Sequence, residues 1–98
     1  MPPAEAIVRV VGDDQIAWRR WQDEVVVYHL SSGAIHHLEG VAAAVFAELA
    51  TGGPRPLAGL ADWLAAEADL PVAQVKAPLA ASLESLSRCQ LILPQTTR

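Results

Sequence analysis

The chain predicts an α+β domain, a three-stranded antiparallel meander followed by three helices. Two features carry that expectation. From Ile16 to Leu38 the sequence is dense in β-branched and aromatic residues broken by short polar turns. After Gly40 the apolar period lengthens from two residues to about 3.6, the spacing of one helical face. Contiguous strands followed by contiguous helices favour helices layered on one face of a small sheet. The 98 residues leave room for one domain, and 52% hydrophobic against 18% charged residues suits a chain that collapses around a core.

Residues 1–15, with Pro2, Pro3 and Gly12-Asp13-Asp14, read as an N-terminal arm carrying a short strand at Ile7–Val11. Ile16 to Trp21 forms the first meander strand, and Gln22-Asp23-Glu24 is the polar turn after it. Val25 to Leu30 is the second strand, Ser31-Ser32-Gly33 interrupts it, and Ala34 to Leu38 is the third. Gly33 has no Cβ and so supplies the positive φ that a tight hairpin needs. With Ser32-Gly33 at the tip, His29 and His36 lie equally far from the turn and are expected to face each other.

Val41, Val45, Phe46 and Leu49 share one face of the first helix. Thr51 to Pro56 stops it, because glycines leave the helical region and prolines lack a backbone donor. The second helix runs from about Leu57 to Ala68, with Leu57, Leu60, Ala61 and Leu64 inward and Trp63 at the boundary. Asp69-Leu70-Pro71 breaks the chain again. Val72, Val75, Leu79, Leu83 and Leu86 then form the apolar stripe of a third helix, with Pro78 inside it. Pro78 removes the bond to the Gln74 carbonyl. Either a continuous helix bends there, which is the expectation, or a short turn at 72–76 precedes a helix from near Ala77. Leu91-Ile92-Leu93 reads as a terminal strand and 94–98 as a frayed end, so the domain is expected over 16–93.

The formal net charge is −4 with seven Lys and Arg in all, too few for general affinity to nucleic acid. The single cysteine, Cys89, excludes an internal disulfide and any multi-cysteine metal site. The opening MPPAEAIVRVV lacks the charged-then-apolar order of a signal peptide, and no apolar run approaches the ~20 residues of a membrane span. A cytoplasmic protein with no membrane association is expected. No phosphate-binding loop, HExxH, CxxC or GxSxG occurs, so neither catalysis, a cofactor nor a metal is expected. His29 and His36 read as a cross-strand pair without a third ligand, and Cys89 as a small core residue. Trp18 and Trp21, three apart, fall on opposite faces of a regular strand, so that one packs on the helices and the other is exposed as a candidate anchor for a protein partner, unless a bulge at Arg19-Arg20 turns both the same way. Arg19-Arg20 is a solvated patch compensated by Asp23-Glu24. The remaining feature is the meander itself, whose edges are open rows of backbone donors and acceptors.

One order of residues is more specific. Trp21 is followed by Asp23-Glu24-Val25-Val26-Val27-Tyr28, then Ser32-Gly33 with His36 and Leu38, then Val45 and Leu49 before Gly52-Gly53. Leu57, Leu60 and Leu64 come next, and Val75, Leu79, Leu83 and Leu86 precede Leu91-Ile92. Over about residues 16–93 this order resembles the PqqD-like peptide chaperones, the winged-helix-like recognition elements of ribosomally made, modified peptides. It is similar in particular to the short members encoded beside an HPr-kinase-related protein. The resemblance implies a non-catalytic module on which the leader segment of a precursor peptide docks as an added strand, in the groove beside the third helix. It implies a modifying enzyme as second partner, with the HPr-kinase-related protein as the candidate. Carried onto this sequence, the receiving strand is Ala34, Ile35, His36, His37 and Leu38, and the groove wall is Lys76, Leu79, Ser82, Leu83 and Leu86. Leu79, Leu83 and Leu86 are shared between core and groove, and Lys76 would favour an acidic leader. Pro78 and His37 depart from the usual pattern.

Two other readings remain at this level. A winged-helix DNA-binding regulator would need the third helix to read the major groove, yet that helix carries only Lys76 and Arg88 against Glu84. A homo-oligomerising domain would pair its open sheet edge with a second copy, giving a homodimer.

Overall fold

The computed structural model describes residues 6–12 and 14–95. Within them the meander forms as expected: β2 (Ile16–Trp21), β3 (Glu24–His29) and β4 (Ile35–Glu39), in the order β2-β3-β4 and antiparallel throughout. The central strand alternates strictly. Val25, Val27 and His29 are buried, while Glu24, Val26 and Tyr28 face solvent. That is the pattern of a sheet covered on one side only.

The loop between β3 and β4 corrects the expected histidine pair. The Gly33 N–H bonds the His29 carbonyl at 2.8 Å, and the His29 N–H bonds the Ala34 carbonyl at 2.8 Å. The turn therefore spans Leu30 to Gly33 and closes on His29 and Ala34, with Gly33 at φ 75°. His36 sits two residues further along, opposite Val27. Both imidazoles lie on the inner face, diagonally rather than head-on. His29 is buried, its Nδ1 hydrogen-bonded to Ser31 Oγ at 3.1 Å.

The expected arm is part of the fold. β1 (Ile7–Val10) is the middle strand of a second sheet, β5-β1-β6, between β5 (Arg55–Pro56) and β6 (Ile92–Gln95). Ile7 stands opposite Gln95 and Val10 opposite Ile92, and Ala6 and Val8 are buried. The end expected to fray thus extends the terminal strand through Gln95. Residues 1–5 and 13 of the expected arm and 96–98 of the expected tail lie outside the described residues.

The helices are α1 (Gly40–Gly52), α2 (Leu57–Ala68) and α3 (Val72–Arg88). α1 is the hub, packing on β1, β3, β4 and α3. It sends Val45, Phe46 and Leu49 inward, and Trp18 meets Phe46 edge-on, with centroids 5.4 Å apart and planes at 88°. Trp21, on the other face of β2, is 66% exposed, so the tryptophans separate as strand alternation requires. α2 buries Leu57, Leu60, Ala61 and Leu64 as its spacing predicts, and Trp63 is half-buried.

α3 runs unbroken through Pro78. Gln74 and Pro78 are both exposed, so the carbonyl left without its helical donor lies on the watered side. Pro78→Ala is expected to restore that bond and raise unfolding stability by roughly 1–3 kcal/mol, net of the added freedom of the unfolded chain. The urea midpoint measures it; an unchanged or lower midpoint would show that the helix gains nothing from the repair.

Candidate functional site

The inner face of the meander is spent on the core and its outer face is solvated, which leaves the strand edges. Among the described residues nothing pairs with the outer side of β4. The ladder fixes which of its backbone groups are free. The His29 N–H is bonded to β4 through Ala34, whereas the Leu30 N–H is bonded to the Gln15 carbonyl on the β2 side. Successive residues of an antiparallel strand alternate their bonding direction. His36 and Leu38 therefore turn their amides toward β3, Ala34 turns its carbonyl there while its N–H bonds Ser32 Oγ, and Ile35, His37 and Glu39 turn their amides outward. Glu39 is also the N-cap of α1, so its carbonyl belongs to the helix and its N–H to the edge.

The same alternation sorts the side chains. Ile35, His37 and Glu39 stand on the outer face, where Ile35 is 68% exposed. His36 is half-buried and Leu38 buried on the inner face. His37 Nε2 is hydrogen-bonded to Glu24 Oε1 at 2.6 Å, and its Nδ1 lies 3.8 Å from Glu39 Oε2. Glu39 makes no capping bond to α1. Beyond Ile35 an exposed apolar row continues across the outer face through Tyr28 and Val26 to Trp21.

The helical half of the expected site lies elsewhere. Lys76, Leu79 and Leu83 line a groove of about 840 Å³ between α3 and α2, opposite Ala61 and Asp62, with Val8 and Ile92 on its wall. No residue of β4 lines it. Leu79 is buried and contributes floor rather than contact surface, and Leu86 is fully buried, with no surface to offer a ligand. Ser82 is half-buried and outside that groove, on the flank of α3 that also carries Pro78 and Cys89 by helical spacing. α1 packs against both β4 and α3, while β4 and α3 share no extended contact of their own. The predicted residues thus separate: 34–38 form an open strand edge, Lys76, Leu79 and Leu83 belong to the α2–α3 groove, and Ser82 and Leu86 belong to neither. Glu24 and Glu39, which frame the edge, were missed. Strand alternation from buried Leu38 puts its neighbour Glu39 on the outer face with Ile35 and His37.

The sequence model of the family described as Coenzyme PQQ synthesis protein D (PqqD) matches residues 24–92, from the first residue of β3 into β6. The chain belongs to the PqqD family. A solved structure described as "TbiB1 in Complex with the TbiA(beta) Leader Peptide" shares this PqqD protein's fold, with a TM-score of 0.70 at 24% identity. The match covers 86% of this chain and 93% of the other. No curated protein matches the sequence. Among the described residues of this PqqD protein, no helix is long and apolar enough to cross a membrane.

Proposed function

We propose that the protein is a non-catalytic peptide carrier: it binds the leader segment of a ribosomally made precursor by strand addition at β4 and presents it to a modifying enzyme. The observation that carries this reading is the unpaired edge, where Ile35, His37 and Glu39 offer a row of main-chain groups. Membership of the PqqD family supports it, as does a fold shared with a protein solved holding a leader peptide. Strand addition draws affinity from backbone hydrogen bonds and selectivity from alternate side chains. A precursor still to be modified suits such recognition, since the edge engages backbone and leaves distant side chains free for an enzyme. The enzyme partner in this reading is a peptide-modifying protein, of which an HPr-kinase-related one is a specific case.

Nothing in the geometry favours the DNA-binding alternative. α3 offers Lys76 and Arg88, and Arg88 is bonded to Glu84 at 2.6 Å, leaving little positive charge for phosphates.

Titration with the leader peptide is expected to shift the backbone amides of Ile35, His37 and Glu39 more than those of His36 and Leu38, whose N–H groups already bond β3. Amide NMR reads this directly. Shifts confined to the α2–α3 groove would move the docking site there, and sedimentation showing a dimer that leader does not dissociate would favour self-pairing of the edge.

A further inference from the structure

We infer that the strand completing β4 carries a basic side chain beside Glu39 and, four residues later, an apolar one beside Ile35. This rests on the strand-addition reading and deepens it by naming the class of peptide. An added strand lies about 4.8 Å from β4, and its residues directly opposite Ile35, His37 and Glu39 place their side chains on the same outer face. At one end they meet Ile35, which extends the apolar row through Tyr28. At the other they meet a carboxylate without a close partner. Glu24 is engaged by His37 at 2.6 Å, whereas among the described residues the basic side-chain nitrogen within 4 Å of Glu39 is His37 Nδ1, at 3.8 Å.

Glu39 stands where a helix favours Ser, Thr, Asp or Asn, and it forgoes the capping bond while its side chain remains 70% exposed. An edge that ends in Glu39, with Glu24 opposite it on β3, repels an acidic side chain there and attracts a basic one, because opposite charges across a strand pair attract and like charges repel. Lys76, the lysine that would have selected an acidic peptide, faces the α2–α3 groove instead. Every strand pair among the described residues is antiparallel, and antiparallel pairing is slightly the more stable. In that direction the basic residue precedes the apolar one.

The test uses the full chain and three synthetic peptides flanked by Gly-Ser: Lys-Val-Thr-Val-Leu, Glu-Val-Thr-Val-Leu, and the reversed order Leu-Val-Thr-Val-Lys. At low salt the first is expected to bind about threefold to tenfold more tightly than the second, with the gap narrowing as salt is raised. Glu39→Gln should shrink that preference and Glu39→Lys should invert it. Equal affinities accompanied by amide shifts at Ile35 and His37, or tighter binding of the reversed peptide, overturn this inference and leave strand addition standing. Binding by none of the three, or binding without shifts at those residues, removes the edge reading and this inference with it.

Discussion

His37→Pro is expected to cost the leader complex about tenfold to a hundredfold in affinity while leaving the domain folded. Proline is tolerated on an edge strand where its missing N–H faces solvent, and the His37 N–H faces away from β3. The variant thus deletes one edge donor and strands a carbonyl of the incoming peptide. Leaving such a group unpaired costs about 1–3 kcal/mol, roughly the stated factor in dissociation constant. His36→Pro is the matched opposite. Its N–H bonds β3 opposite Val27, so proline there breaks the ladder and should lower the thermal midpoint sharply. His37→Ala controls for the side chain: it removes the exposed bond to Glu24, worth at most about 1 kcal/mol of stability, and keeps the N–H. Calorimetric titration and thermal melts of the three variants decide the matter. If His37→Pro binds leader as well as the unaltered protein, the peptide does not complete this sheet.

The largest effect on stability is expected at Phe46. Its side chain is fully buried, carried by the helix that touches both sheets and α3, and it supports the edge of Trp18. Truncation to alanine leaves a cavity where three layers meet and should cost about 3–5 kcal/mol. A domain of this size holds only a marginal reserve, about 5–15 kcal/mol for proteins generally, so Phe46→Ala should be partly unfolded at 37 °C. Trp18 fluorescence against urea reports it. Phe46→Leu, which keeps the site apolar and fills most of it, should recover the greater part. A wild-type midpoint for the alanine variant would mean that the α1 contact with β2 is dispensable.

The sequence makes the helices plain because their signals are local: Leu57, Leu60, Ala61 and Leu64 repeat at helical spacing, and glycine or proline stands at the breaks. The meander is equally plain from Val25 to Leu38. The second sheet is not. β5 is two residues, Arg55-Pro56, in a segment that locally says only that a helix has ended, and its partner Val8 lies far away in sequence. β1 looks like an arm because nothing near it in the chain pairs with it. At the site, β4 could be found but its phase could not. Whether 34, 36 and 38 or 35, 37 and 39 face the open side depends on the turn closing from Gly33 onto His29 and from His29 onto Ala34, two hydrogen bonds that fix the register. For α3, the stripe Val75-Leu79-Leu86 identifies the buried face, but the neighbour beside each flank is set by how α2 folds back, so Lys76 and Leu83 fell on the α2 side.

The pairing of β1 with β6 has a consequence for how such a domain is used. Ile7 and Gln95 leave the fold as next-door neighbours, like the two pins of a plug. A unit wired this way can be spliced into a surface loop of a larger protein, or have its ends joined by a short tether and be reopened at Asp69-Leu70, without pulling either sheet apart. Portability of that kind lets such a domain stand as a separate subunit or as an insert within a longer chain.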